Sequence, residues 1–177
     1  KLADLRDRIG YVPQKGVLFS GTIDSNIRYG KDDASAEEVE RAARIAQAWD
    51  FIQEKEDGVQ SPIAQGGTNV SGGQKQRLSI SRAIAKNPEI YIFDDSFSAL
   101  DYKTDVVLRR ALKKETRDAT TLIVAQRIST ILHADKILVL DEGHVVGQGT
   151  HKELLKSCDI YRQIAMSQLS EEELANE

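Results

Sequence analysis

Cysteine occurs once in the 177 residues, at Cys158, so no disulfide can form within the chain and a reducing compartment fits. His133, His144 and His151 have no Cys or His partner at zinc-ligand spacing, which argues against a structural zinc. No apolar run approaches the roughly 18 residues of a membrane span, and no signal peptide opens the chain. A membrane role would have to come from sequence outside it. The net charge is −4, without the basic excess expected of a nucleic-acid binder. The phosphate-cradling pattern G-x-x-x-x-G-K-[ST] is absent, because Gly30-Lys31 lacks both the upstream glycine and the Ser/Thr. Gly147-Gln148-Gly149 lacks the third glycine of a dinucleotide fingerprint, Lys152 standing there, and no internal repeat is visible.

What is present concentrates in residues 69–101. Ser71, Gly72 and Gly73 precede a helical pattern over 74–86 with apolar positions at Leu78, Ile80, Ala83, Ile84 and Ala85. The first turn of a helix offers free N–H groups and the positive end of the dipole. Two glycines there let an anion approach the backbone, and Ser71 adds a hydroxyl; the same residues also suit a plain Ser N-cap. Asn87-Pro88 stops the helix. Ile90-Tyr91-Ile92-Phe93 reads as a strand buried on both faces that ends in Asp94-Asp95. Carboxylates at the carboxyl end of a buried strand are where open α/β sheets place ligand chemistry, and hard oxygens suit Mg²⁺ beside phosphates.

VSGGQKQR, IYIFDD and SALD, in that order, resemble the signature helix, Mg-binding strand and D-loop of the ATP-binding cassette (ABC) family. YVPQKGVLFSGTIDSNIRYG resembles the Q-loop region of its exporters. The likeness runs from Leu2 to about Gln168 and implies an α/β fold. That fold would be a partial ABC-ATPase: a parallel sheet flanked by helices as the remnant of a RecA-like core, plus an α-helical subdomain carrying the signature. Expected segments are a core lobe with the Q-loop (1–21), the helical subdomain (22–87), the rest of the core lobe (88–168) and an acidic disordered tail (169–177). The resemblance implies ATP and Mg²⁺ as cofactors, with Asp94 and Gln14 at the metal. Ser71, Gly72, Gly73 and Gln74 would contact ATP in trans, and Asp101 would close the D-loop. It further implies a P-loop and a transmembrane domain upstream of Lys1, a second nucleotide-binding domain as partner, and the cytoplasmic face of a membrane.

Two positions depart from the family's active pattern. Asp95 stands where a catalytic Glu is usual, a retraction on the order of 1 Å that can cost about 10²-fold in rate. Gln126 stands where His contacts the γ-phosphate, and an amide cannot carry charge or shuttle a proton. Beside an intact signature, they point to the degenerate half of a heterodimeric exporter, whose signature completes the partner's site; the isolated chain is expected to be inactive. The alternatives are a homodimer that tolerates Asp95, a soluble ABC protein on DNA or ribosomes, or a non-hydrolysing nucleotide-gated module.

Elsewhere, Ile9, Tyr11 and Val12 suggest a strand ending at Pro13, and Ser35–Glu38 is a capping box. The helix it opens has an apolar stripe of Val39, Ala42, Ala43, Ala46 and Trp49, with Trp49 expected against the signature helix. Residues 103–116 read as a helix with Val107, Leu108, Ala111 and Leu112 inward and a solvated charged face. Residues 121–125 read as a second buried strand, 137–140 and 144–146 as a strand pair, and Thr150–Glu153 as another capping box.

Overall fold

The computed structural model describes residues 1–169; the acidic tail, apart from Leu169, lies outside the described residues. The chain divides into two compact units, Lys1–Val124 and Ala125 onward.

In the first unit, helix α1 (Leu2–Asp7) leads into strand β1 (Ile9–Val12). A short strand β2 (Gly21–Thr22), helices α2 (Ile23–Arg28), α3 (Ala36–Ile45) and α4 (Trp49–Gln53), and strand β3 (Pro62–Ile63) follow. Then come α5 (Gly72–Lys86), β4 (Ile90–Asp94), α6 (Tyr102–Glu115) and β5 (Thr120–Val124). The parallel sheet has the order β1-β4-β5, with Ile9 beside Ile90 and Ile90 beside Thr120. Three of these helix starts have a clear chemical cause. Thr22, Ser35 and Ser71 form reciprocal capping boxes with Ser25, Glu38 and Gln74. Asn87 ends α5 in the left-handed conformation, φ 49°.

The core of this unit joins the inner face of the sheet (Val12, Tyr91, Phe93) to α5 (Leu78, Ile80, Ile84), α3 (Val39, Ala42, Ala43) and α6 (Leu108, Leu112). Several expectations are corrected here. β4 is buried on one face only, through Tyr91 and Phe93, while Ile90 and Ile92 are half-buried. β5 is an edge of the sheet, and Leu122 and Val124 are exposed at 51% and 49%. A run of apolar residues does not bury itself; it needs a layer on each face. On α6, Val107 faces solvent and Ala111 is only half-buried, while Asp105 is buried and bidentate with Arg109, at 2.9 and 3.1 Å. The helix turns its 105–108–112 edge inward, so one of its charges is internal rather than solvated. Trp49 belongs to α4 rather than α3, because Gln47 at φ 56° breaks the helix. It packs against the core and stacks under Arg44, while Phe51 meets the signature helix through Arg77 above its ring at 4.8 Å.

In the second unit, α7 (Ile128–Ile131) precedes the antiparallel pair β6 (Ile137–Asp141) and β7 (His144–Gly149). Glu142 and Gly143 both take positive φ, as a two-residue hairpin turn requires. Helices α8 (His151–Ser157), opened by the Thr150–Glu153 capping box, and α9 (Asp159–Gln168) complete a separate core of Ile128, Ile137, Val139, Leu154, Cys158, Tyr161 and Ala165. Cys158 is thus a packing residue.

Phe93 is 1% exposed and packs on Phe97, with ring centroids 5.3 Å apart. Phe93→Ala is expected to destabilise the first unit by about 3–5 kcal/mol. Val107→Ala should stay within about 0.5 kcal/mol. Urea unfolding followed by Trp49 fluorescence measures both.

Candidate functional site at the ends of the parallel strands

The register of β1 against β4, with Val12 beside Phe93, carries the two chains out of the sheet side by side. Two residues on, the Gln14 amide nitrogen donates to Asp95 Oδ2 at 3.3 Å. Tyr11, on the outer face of β1, donates its hydroxyl to Asp94 Oδ2 at 3.0 Å. Asp95 sits at φ 44°, a conformation Asp and Asn tolerate better than longer side chains. Its N–H still donates to the Val124 carbonyl at 2.9 Å, so the chain leaves the strand without releasing β5. Behind it the buried Ser96 hydroxyl donates to the Val12 carbonyl at 2.9 Å and fixes the two strand ends together.

The donor chemistry here fits a magnesium ion. Asp94, Asp95 and Gln14 offer hard oxygens at one edge, and among the described residues no group of three or more His, Cys, Asp and Glu forms a closed metal cage. Mg²⁺ takes one or two carboxylates and completes its shell from water and phosphate, so a sparse set suffices. Its chemistry there would be to neutralise phosphate charge.

At the start of α5, Ser71 Oγ accepts from the Gln74 N–H at 3.2 Å and Gln74 Oε1 accepts from the Ser71 N–H at 3.1 Å. Ser71 and Gln74 are therefore a capping box in this state. A Cβ added at Gly72 would meet nothing within 4 Å, and one at Gly73 would first meet the Ala99 carbonyl at 3.6 Å. Packing within the chain does not require either glycine; the absence of side chains leaves the helix start open. The same contact puts the 98–101 turn beside the signature. Asp101 caps α6, accepting from the Thr104 hydroxyl at 2.7 Å and the Thr104 N–H at 3.0 Å. Those two bonds, the hydroxyl first, hold its carboxyl below the usual range.

Gln126 belongs to the second unit, where its carbonyl accepts from Gln168 Nε2 at 2.9 Å while Gln168 Oε1 accepts from the Ile128 N–H at 2.8 Å. The structure thus gathers Gln14, Asp94 and Asp95 at one strand end and puts Ser71–Gln74 at the start of α5, with Asp101 at the start of α6.

Three residues escape the sequence reading: Tyr11, Ser96 and Gln76. Gln76 is 1% exposed, accepts from the Gly16 N–H at 2.8 Å and donates to the Pro13 carbonyl at 3.0 Å. Its signal was its position, since a polar residue shares the α5 face of Ile80, Ala83 and Ile84. Two turns along, Arg82 donates to the carbonyls of Asn26 and Val17 at 2.9 and 3.0 Å and lies over the rings of Phe19 and Tyr29. Burial holds its guanidinium below its ordinary pKa. The loop so held presents Val17, Phe19 and Tyr29 to solvent.

Comparison with known proteins agrees with this geometry. Residues 1–98 match the family model described as ABC transporter. The chain belongs to the ABC transporter family. It is 48% identical over 163 residues to an uncharacterised ABC transporter ATP-binding protein of Mycobacterium tuberculosis, covering 90% of this chain and 28% of that one. It is 47% identical over 176 residues to another from Bacillus subtilis, covering 99% and 30%. A Staphylococcus aureus relative, 46% identical over 160 residues (90% and 28%), bears a name proposing multidrug export by an ATP-binding/permease protein. A solved bacterial Atm1-family ABC exporter with ATP bound superposes with a TM-score of 0.91 at 41% identity, over 96% of this chain and 30% of that one. The chain thus spans under a third of the length of these relatives. The α/β architecture, a parallel sheet flanked by helices, is that of an ABC ATPase fragment. No described helix is long and apolar enough to cross a membrane.

The Asp94 hydrogen bond raises the Tyr11 phenol above its ordinary pKa, helped by desolvation and the negative charge of Asp94. The neutral phenol is the form that bonds, so this contribution is present below the unfolded tyrosine value, about 10, and is lost as pH rises through the raised folded value. Asp94→Asn should therefore make one tyrosine ionise at lower pH in an alkaline ultraviolet difference titration; an unchanged titration would show that Asp94 does not hold Tyr11.

Proposed function

We propose that this chain is part of the nucleotide-binding domain of an ABC exporter, working with Mg²⁺–ATP at the cytoplasmic face of a membrane, with a transmembrane domain in the same polypeptide. The observation that carries this reading is the Gln14 amide 3.3 Å from Asp95, beside Asp94, at the ends of adjacent parallel strands. Asp94 and Gln14 would hold Mg²⁺; Asp95 would orient the attacking water. The open space around Gly72 supports a second role, in which Ser71, Gly72, Gly73 and Gln74 receive the triphosphate of a second nucleotide-binding domain. An anion there would meet free N–H groups and the helix dipole.

In the finer reading that partner is a different subunit. Asp95 is too short and Gln126 uncharged, so this subunit's own site fires poorly while its signature completes the working site opposite. Nucleotide binding at both sites would close the pair, and hydrolysis at the competent site would reopen it. The left-handed backbone at Asp95 favours a second reading, a homodimer: Asp suits φ 44° better than Glu, so its short side chain can be a fit to the backbone rather than a loss of function.

In the full-length transporter with its partner, Ser71→Ala and Gly72→Asp are each expected to lower ATP turnover by about 10²-fold or more, as losing preorganised phosphate contacts does. Ser71→Ala also removes a cap worth about 1 kcal/mol, so melting is followed in parallel. Unchanged turnover would end the role given to this signature. Asp95→Glu should raise turnover at this subunit's own site only modestly unless Gln126→His accompanies it, measured with the partner's site disabled. Brisk turnover by the unmodified subunit alone would favour the homodimer.

A further inference from the structure

We propose that Gln76 is a positioning residue for Gln14, setting where the Gln14 amide stands relative to the Asp94–Asp95 pair and hence to Mg²⁺–ATP. The inference rests on the reading of that pair given above. Gln76 spends both ends of its amide on one loop, the carbonyl on the Gly16 N–H at 2.8 Å and the nitrogen on the Pro13 carbonyl at 3.0 Å. Those two backbone groups bracket Gln14 and Lys15, so one side chain closes the turn from which Gln14 projects. The loop is pressed to the helix as well as bonded to it. A Cβ at Gly16 would fall 2.8 Å from Ser79 Oγ and 2.9 Å from the Lys75 carbonyl, so only glycine allows this approach. Gln76 also lies one helical turn after Gly72 on α5, a continuous helix from Gly72 to Lys86. Gln76, Pro13 and Gly16 thus form a continuous chain of hydrogen bonds and covalent links from α5 to Gln14.

The test uses the full-length subunit and two readouts. The first is hydrogen exchange over residues 14–19, which Gln76→Leu, a variant of similar volume, should accelerate. The second is ATP affinity with and without Mg²⁺. Gln76→Leu should weaken the Mg²⁺-dependent affinity about ten-fold, the loss typical when a residue that orients a ligand is removed. Adding Gln14→Ala to it should then cost little more, because both changes act through one group. Gln76→Glu keeps the Gly16 bond and loses the Pro13 bond, and should fall between wild type and Leu. It also supplies the decision if Gln76→Leu does not fold. Additive losses from Gln76→Leu and Gln14→Ala, or wild-type affinity in both Gln76 variants, would overturn the proposal. If the unmodified subunit shows no Mg²⁺-dependent ATP binding, the ATP reading fails, and hydrogen exchange alone decides whether Gln76 holds the loop: unchanged exchange over 14–19 in both variants overturns it.

Discussion

The first unit depends on one helix, α5, whose side chains satisfy backbone groups along the stretch that runs from α1 through β1 and the loop after it into α2. Lys86 donates to the carbonyls of Arg6 and Ile9, Gln76 serves Pro13 and Gly16, and Arg82 reaches Val17 and Asn26. A buried backbone polar group left unpaired costs about 1–3 kcal/mol, whereas a made hydrogen bond gains only about 1 kcal/mol net. The asymmetry explains why these side chains are polar on a helix that also buries Leu78, Ile80 and Ile84. They prevent a penalty more than they add stability, and in doing so they fix the path of residues 6–26. Gln14, Phe19 and the neighbouring aromatic Tyr29 take their places from that path.

This arrangement also explains which parts of the molecule were legible beforehand. Capping is local chemistry, so Ser35, Ser71 and Thr150 could be read from residues three apart, and Asn87-Pro88 marked the end of α5. The strand ending in Asp94-Asp95 was legible because its apolar run stops abruptly. Burial was less so. Leu122 and Val124 look internal in sequence yet lie on an edge strand, and Val107 looks inward yet faces water because the helix phase is set by Asp105, Leu108 and Leu112. Local pattern tells which face is apolar; neighbours decide which face is covered. Helix α1 carries no such pattern, none of its residues being buried, and was not foreseen. The contacts of Gln76 and Ser96 span 60 and 84 residues of chain and leave no local trace beyond a polar residue among apolar ones.

The carboxylate at position 95 shows how a single residue can carry two explanations that point to different proteins. From sequence, the missing methylene reads as a retracted base. From structure, the same residue occupies φ 44°, where a short side chain is better accommodated. These accounts meet at the Gln14 contact. At 3.3 Å the hydrogen bond is slightly longer than the usual range, so Gln14 touches the carboxylate without drawing it close. A longer side chain would have to turn away from this contact or displace Gln14, which is tied through Pro13 and Gly16 to α5. The position therefore cannot be judged from the length of one side chain. What matters is the distance between a strand end and a loop, and that loop is hydrogen-bonded to the helix that begins at Gly72. On the reading proposed above, chemistry at the strand end and recognition at the helix start would both lean on one helix, so a change made for one would be felt at the other.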